Sequence, residues 1–137
     1  MKKVLVLCTG NSCRSQIAHG YLAHFAPEGT GVYSAGVETH GVNPGAIATM
    51  KADGLDITSH TSNNILEYEG QHFDYVITVC DSAKEKCPFF PSEAAKFHHN
   101  FPDPAGAKGT DEEVAAVFAS VRDQVKVYCK EFASAYL

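Results

Sequence analysis

At 137 residues, with 45% hydrophobic and 20% charged side chains, the sequence reads as a single soluble globular domain over 1–137, large enough to bury roughly two thirds of its unfolded surface. A formal net charge of −5, with the Lys and Arg scattered rather than clustered, argues against nucleic acid as a partner. No apolar stretch approaches the roughly 20 residues of a membrane span, and the apolar run after Met1-Lys2-Lys3 is too short for a signal peptide, so a cytoplasmic protein without membrane contact is expected.

Val4-Leu5-Val6-Leu7 is a continuous apolar run of the kind found in a central parallel strand covered on both faces. From Arg14, apolar residues recur at Ile17, Tyr21, Leu22 and Phe25, one face of a helix that Pro27 and Gly29 stop. Residues 31–37 predict a second strand. Asn43-Pro44 predicts a helix start, with Ile47 and Met50 facing the core and Gly54 as the residue after its end. Ser59-His60-Thr61-Ser62 is a candidate cap for a short helix through Ile65 and Leu66. Residues 73–80 predict the next strand and end in Cys80, while 81–92 read as a polar, proline-bearing loop. Residues 96–101 predict an edge strand before Pro102-Asp103-Pro104. The last helix opens with a capping box, Thr110 to Glu113, and carries a stripe of Val114, Val117, Phe118, Val121, Val125, Tyr128 and Phe132. Strands separated by helices predict an α/β three-layer sandwich, a four-stranded parallel sheet flanked by helices, whose ligands bind at the carboxyl ends of the strands.

Cys8 and Cys80 both fall at such ends. Between the first strand and first helix lies Cys8-Thr9-Gly10-Asn11-Ser12-Cys13-Arg14-Ser15. A short loop at a helix N-terminus turns amides inward and adds partial positive charge, which favours a tetrahedral oxyanion and a thiolate. Those amides and Arg14 are expected to lower the Cys8 pKa. Arg14 can grip two oxygens in a bidentate fork, Gly10 and Asn11 tolerate positive φ, and Ser15 is placed to donate a hydrogen bond to the sulfur. The bland alternative is a buried strand-end cysteine before an ordinary capped helix.

Five cysteines are an odd number, which suits redox or metal chemistry in a reducing compartment better than a disulfide framework. On a continuous helix Cys80 and Cys87 would be about 10 Å apart. A disulfide needs Cα atoms within roughly 7 Å, so they can bond only where the segment bends. One reading has Cys80 attack an adduct on Cys8, after which Cys87 draws the disulfide outward to a reductant. In others Cys80 is a plain buried residue, or Cys80, Cys87, His98 and His99 bind zinc, although close cysteine spacing is lacking. Cys13 and Cys129 read as packing residues. Asp103, between two prolines, is either a general acid or an ordinary turn aspartate.

The loop Cys8 to Ser15, the pair Cys80 and Cys87, Asp103-Pro104, Tyr33 to Gly36 and Thr39 to Pro44 together resemble the thioredoxin-coupled arsenate reductases of the low-molecular-weight tyrosine phosphatase superfamily. That resemblance implies Cys8 as nucleophile, Thr9 to Arg14 as the arsenate-binding loop with phosphate or sulfate as site analogues, Ser15 as support for the thiolate and Asp103 as acid. It further implies a Cys8–Cys80 disulfide that becomes Cys80–Cys87 and is reduced by thioredoxin, in the service of arsenic detoxification. No cofactor is expected, and nothing in the sequence demands more than a monomer. Some members bind potassium behind the loop. Asn11, Ser34 and Thr61 match those ligands, but His19 and Asn63 stand where two carboxylates belong, so no metal is expected and a positively charged His19 is a candidate replacement. The rival function is a tyrosine phosphatase, which expects aromatic residues after Asp103-Pro104, where Ala105, Gly106 and Ala107 stand, and has no use for Cys87. A cysteine phosphocarrier of similar architecture is disfavoured by Arg14, which would hold the phosphate.

Overall fold

The computed structural model describes residues 2–11, 13–68, 70–80 and 94–137. Four strands, β1 (Lys3–Cys8), β2 (Gly31–Gly36), β3 (Tyr75–Thr78) and β4 (Ala95–His98), form one parallel sheet in the order β2-β1-β3-β4. This is the α/β sheet expected from the sequence. β1 is central because Val4, Leu5, Val6 and Leu7 have no polar side to offer water, and each is at most 2% exposed. β3 is shorter than the predicted 73–80 segment, but the chain on both sides still pairs with β1, through Asp74 N to Lys3 O and Val79 N to Leu7 O. β4 occupies the predicted edge one residue earlier than expected, and 99–101 continue as single bonds from His99 N to Thr78 O and Phe101 N to Val79 O.

Helices α1 (Arg14–Phe25), α2 (Pro44–Ala52) and α3 (Asp111–Tyr136) pack on one another, with α1 also against β1 and β2. Strand periodicity shows which sheet face they cover. The Ser34 hydroxyl meets His19 of α1, so Ser34 and its register partners Val6 and Ile77 face α1. Tyr33 must then point the other way, where it packs edge-on against Tyr68 and Phe73. On the helix side, Tyr75 and Phe97 meet Phe132 of α3 at 5.5 and 5.1 Å between ring centres. Such edge-to-face clusters add about 1 kcal/mol per pair beyond area burial.

The α2 cap is as expected, with Asn43 accepting from Gly45 N at 2.7 Å. At α3, Thr110 accepts from Glu113 N at 3.2 Å. Phe118, Val121, Val125 and Phe132 form its buried stripe, whereas Val117 is 40% exposed. One residue before Phe118, Val117 is rotated about 100° from the line that faces the core. The short helix at Ile65–Tyr68 is a 3-10 turn capped by Asn64 rather than by the Ser59 to Ser62 segment: Leu66 N donates to Asn64 Oδ1, and Asn64 N donates to Glu67 Oε2. A polar residue adjacent to the turn outcompetes caps farther upstream. Among the described residues, no helix is long and apolar enough to cross a membrane.

Candidate active site

β1 ends at Cys8 and α1 begins at Arg14, so the intervening loop sits at a helix N-terminus. Its carbonyls are tied outward. Thr9 O accepts from Glu38 N at 2.9 Å, while Gly10 O accepts from His40 N and Ser62 Oγ, both at 3.1 Å. In a trans peptide the N–H opposes the C=O, so the amides of Gly10 and Asn11 face the other way, into the loop. Asn11 has φ 47°, the left-handed region that such a loop demands. Gly10 lacks the expected positive φ and is required for space instead: a Cβ there would lie 2.4 Å from the His40 ring. Gly36, at the end of β2, is tighter still. A Cβ would meet Thr9 O, Asn11 N and Glu38 O at 2.6 to 2.7 Å, all of them backbone.

Behind the loop, Asn11 is fully buried and bonded on every side. Its Nδ2 donates to Ser34 O at 3.2 Å, and its Oδ1 accepts from Ser15 Oγ at 2.8 Å and Gln16 Nε2 at 3.1 Å. Ser15 therefore does not donate to the Cys8 sulfur as expected, because the left-handed turn brings the Asn11 amide oxygen over the first turn of α1. Gln16 also donates to Asn11 O and Thr61 O, and its Oε1 is 3.0 Å from His60 Nδ1. The His60 ring stacks on His19 at 4.3 Å, and His19 Nδ1 meets Ser34 Oγ at 2.9 Å.

The two strand-end cysteines meet at the rim. Cys8 Sγ donates to Cys80 Sγ at 3.4 Å, and Thr9 Oγ1 lies 3.3 Å from Cys80 Sγ. The expected lowering of the Cys8 pKa is overturned in this arrangement. The hydrogen bond to Cys80 and burial push it well above an ordinary thiol, against the opposing pull of Arg14 and the Thr9 amide. In this geometry Cys8 holds its proton until the contact with Cys80 opens. Cys13 is buried, its thiol pushed up to about 12 by desolvation, and Cys129 is buried on α3, consistent with packing roles.

Arg14 bridges the loop to the segment after β4. Its Nη1 donates to Phe101 O at 3.0 Å and its Nη2 lies 3.6 Å from Asp103 Oδ2. Among the described residues, Arg14 Nε is buried without a hydrogen-bond partner, a donor left over at the edge of the loop. Asp103 is placed as a turn aspartate, with its Oδ1 capping the turn at Pro104–Gly106 through Ala105 N; its Oδ2 faces Arg14 and its side chain is half exposed. Ser12 and Cys87 lie outside the described residues, as does the loop expected over 81–92.

The residues behind the loop do not fit a potassium ion. Asn11 Oδ1 already accepts two hydrogen bonds, Ser34 Oγ is taken by His19, and neither His19 nor Asn63 brings a negative charge. A charged His19 is also excluded at neutral pH, since burial and the neighbouring His60 pull its pKa down to about 4. Among the described residues, no group of three or more His, Cys, Asp or Glu side chains is placed to hold a metal ion, and the zinc set involving Cys87 lies partly outside them.

Sequence reasoning missed Gln16, His60, Gly36 and the Phe101 carbonyl. A polar Gln16 beside the apolar positions of a buried helix was the available signal for one of them; Gly36 and Phe101 O act through backbone positions that composition does not mark.

A thiol at a strand end, inward amides after it and an arginine beside it make an arrangement suited to an anion next to a cysteine, and the chain belongs to the family described as low molecular weight phosphotyrosine protein phosphatase, matched over residues 3–136. Within that family its relatives are more particular. An arsenate reductase of Halalkalibacterium halodurans is 48% identical over 132 residues, covering 96% of this chain and 95% of the relative. Two solved structures of an arsenate reductase are also similar. One in the phosphate binding state has a TM-score of 0.82 and 32% identity with all of both chains covered; one in the oxidized state has a TM-score of 0.85 and 31% identity with 98% of each covered.

Proposed function

We propose that this chain reduces arsenate to arsenite with Cys8, Cys80 and Cys87 as a three-thiol relay. The observation that carries this reading is the 3.4 Å approach of Cys8 Sγ and Cys80 Sγ beside the loop, since a phosphatase has no use for a second thiol against its nucleophile.

Arsenate enters the loop Thr9 to Arg14, held by inward amides and the Arg14 guanidinium, as phosphate or sulfate would be. Once the contact with Cys80 opens, Arg14 and the Thr9 amide remain to stabilise the Cys8 thiolate. That thiolate attacks arsenic(V), an As–O bond breaks, and Asp103 gives the departing oxygen its proton so that water leaves. Ser15 supports the nucleophile indirectly, through Asn11. Cys80, as thiolate, then attacks Cys8 Sγ. The S–As bond breaks with its electron pair left on arsenic, which departs as arsenite, and the two thiols are oxidised to a disulfide. Cys87 attacks Cys80 Sγ, releases Cys8 and presents a Cys80–Cys87 disulfide to the thioredoxin dithiol. The reaction needs one domain, one chain and the reducing cytoplasm. The loop and acid also suit slow hydrolysis of a small aryl phosphate, a side activity expected of this family.

The test is a coupled assay with arsenate, thioredoxin, thioredoxin reductase and NADPH. The parent is expected to turn over repeatedly and Cys87→Ser to stall near one equivalent. Full turnover by Cys87→Ser would remove the third thiol from the account.

A further inference from the structure

We propose that the stacked imidazoles of His19 and His60 are positioning residues of the anion loop, acting through Ser34 and Gln16 on Asn11 in the place where a bound cation does not fit. The inference rests on the loop being the arsenate site.

Asn11 is the hinge of the loop: among the described residues it is the non-glycine with positive φ, and its peptide supplies one of the inward amides. Such a conformation persists only where its surroundings over-determine it. Gln16 does much of that work. It is fully buried, and its Nε2 reaches Asn11 O, Asn11 Oδ1 and Thr61 O at 3.1, 3.1 and 2.9 Å. With the two Nε2 hydrogens shared among three acceptors, Oε1 must face His60, so His60 Nδ1 carries the hydrogen and donates. His60 thereby fixes which way the Gln16 amide is turned. A reversed amide would set Gln16 Oε1 against Asn11 O and Oδ1, oxygen against oxygen.

His19 completes the brace. It stacks on His60 at 4.3 Å with an interplanar angle of 28°, and its Nδ1 holds Ser34 Oγ, whose backbone carbonyl accepts from Asn11 Nδ2. The chain from His60 through Gln16 to Asn11, and from His19 through Ser34 to Asn11, closes around the loop without a charge. Burial lowers the pKa of both rings, which agrees with an uncharged brace. A cation would have to displace Ser15 or Gln16 to reach the Asn11 side-chain oxygen, and His19 to reach the Ser34 hydroxyl.

The test compares His60→Leu, which removes the donor, with His60→Asn, whose amide nitrogen sits where Nδ1 was. Inorganic phosphate binding to the reduced protein is measured by calorimetry, and arsenate KM and kcat by the coupled assay. His60→Leu is expected to weaken phosphate binding and raise KM, each by about tenfold, the worth of one buried hydrogen bond, with kcat within about threefold; His60→Asn should stay within about twofold of the parent on both. Replacing potassium chloride by choline chloride at constant ionic strength should change the parent by less than about twofold. The inference fails if His60→Leu matches the parent, if His60→Asn is as impaired as His60→Leu, or if potassium stimulates the parent strongly. His60 is only half-buried, and His60→Ala repeats the comparison should the leucine variant not fold. A parent that binds phosphate but does not reduce arsenate would sink the proposed function and leave this inference standing on the phosphate affinities; a parent that binds no phosphate would sink both.

Discussion

The back and the mouth of the loop are built on opposite plans. Behind it, the Asn11, Ser15 and Gln16 side chains are fully buried and hydrogen-bonded at 2.8 to 3.2 Å in their best contacts. At the mouth, Arg14 keeps one ordinary hydrogen bond, to Phe101 O at 3.0 Å, but its ion pair with Asp103 is stretched to 3.6 Å, its Nε has no partner among the described residues, and the two sulfurs meet in a weak thiol contact at 3.4 Å. Satisfied networks hold geometry, while unsatisfied groups are available to a ligand. The division separates what must stay fixed during the reaction from what must exchange partners.

The largest expected effect comes from breaking the fixed side by one methyl group. Gly36→Ala would drive a Cβ into the backbone of Thr9, Asn11 and Glu38, so the loop must shift. Its arsenate kcat/KM should fall by about a hundredfold or more, since displacements near 1 Å at a reacting centre cost that much. Near-parental activity in the coupled assay would show that the loop is not the rigid half. On the mouth side, Cys80→Ala removes the largest cause of the raised Cys8 pKa. The thiolate fraction at neutral pH therefore rises, and alkylation of Cys8, followed by peptide mass spectrometry, should speed up by about tenfold, one pKa unit's worth. Unchanged or slower alkylation would contradict the proton-holding contact.

Two smaller effects separate the network from the scaffold. His19 has a folded-state pKa near 4 against 6.5 when free, so the unfolded chain binds more protons between those values. Stability should fall as pH drops from about 6.5 toward 4, by at most about 3 kcal/mol, and His19→Asn should flatten that slope in denaturant titrations. Away from the site, Asp53 accepts from Tyr21 Oη at 2.6 Å and pairs with Lys126 Nζ at 2.9 Å, tying α1 and α3 to the end of α2. Its pKa is lowered, first by Tyr21, so this stabilisation is present above the ordinary carboxylate range and is lost as pH falls through the depressed value. Asp53→Asn should cost about 1–2 kcal/mol at neutral pH, a few degrees in Tm, and leave arsenate KM unaltered.

The contrast also explains what could be seen in the sequence. β1, α1, α2, α3 and the parallel sense of the sheet were legible because apolar runs, caps and strand–helix alternation are local signals: Val4 to Leu7, Asn43-Pro44 and Thr110 to Glu113 each carry their own instruction. The loop was legible for the same reason, being contiguous. The network behind it was not, because it joins Asn11, Gln16 and His19 to Ser34 and His60 across three separate stretches, and Gln16 and His60 are ordinary residues until the fold brings them together. The Cys8 pKa was misjudged because the loop's local charges were visible and its distant sulfur neighbour, 72 residues away, was not weighed as a hydrogen-bond acceptor.

The central claim is that Cys80 completes the redox step on Cys8, and a single turnover of Cys87→Ser tests it most directly. Reduced Cys87→Ser is mixed with excess arsenate, quenched by alkylation and mapped by mass spectrometry. The account predicts one arsenite released per chain, a Cys8–Cys80 disulfide and an alkylated Cys13 and Cys129. Arsenite released while Cys80 remains alkylated, or a disulfide from Cys8 to Cys13, would contradict it.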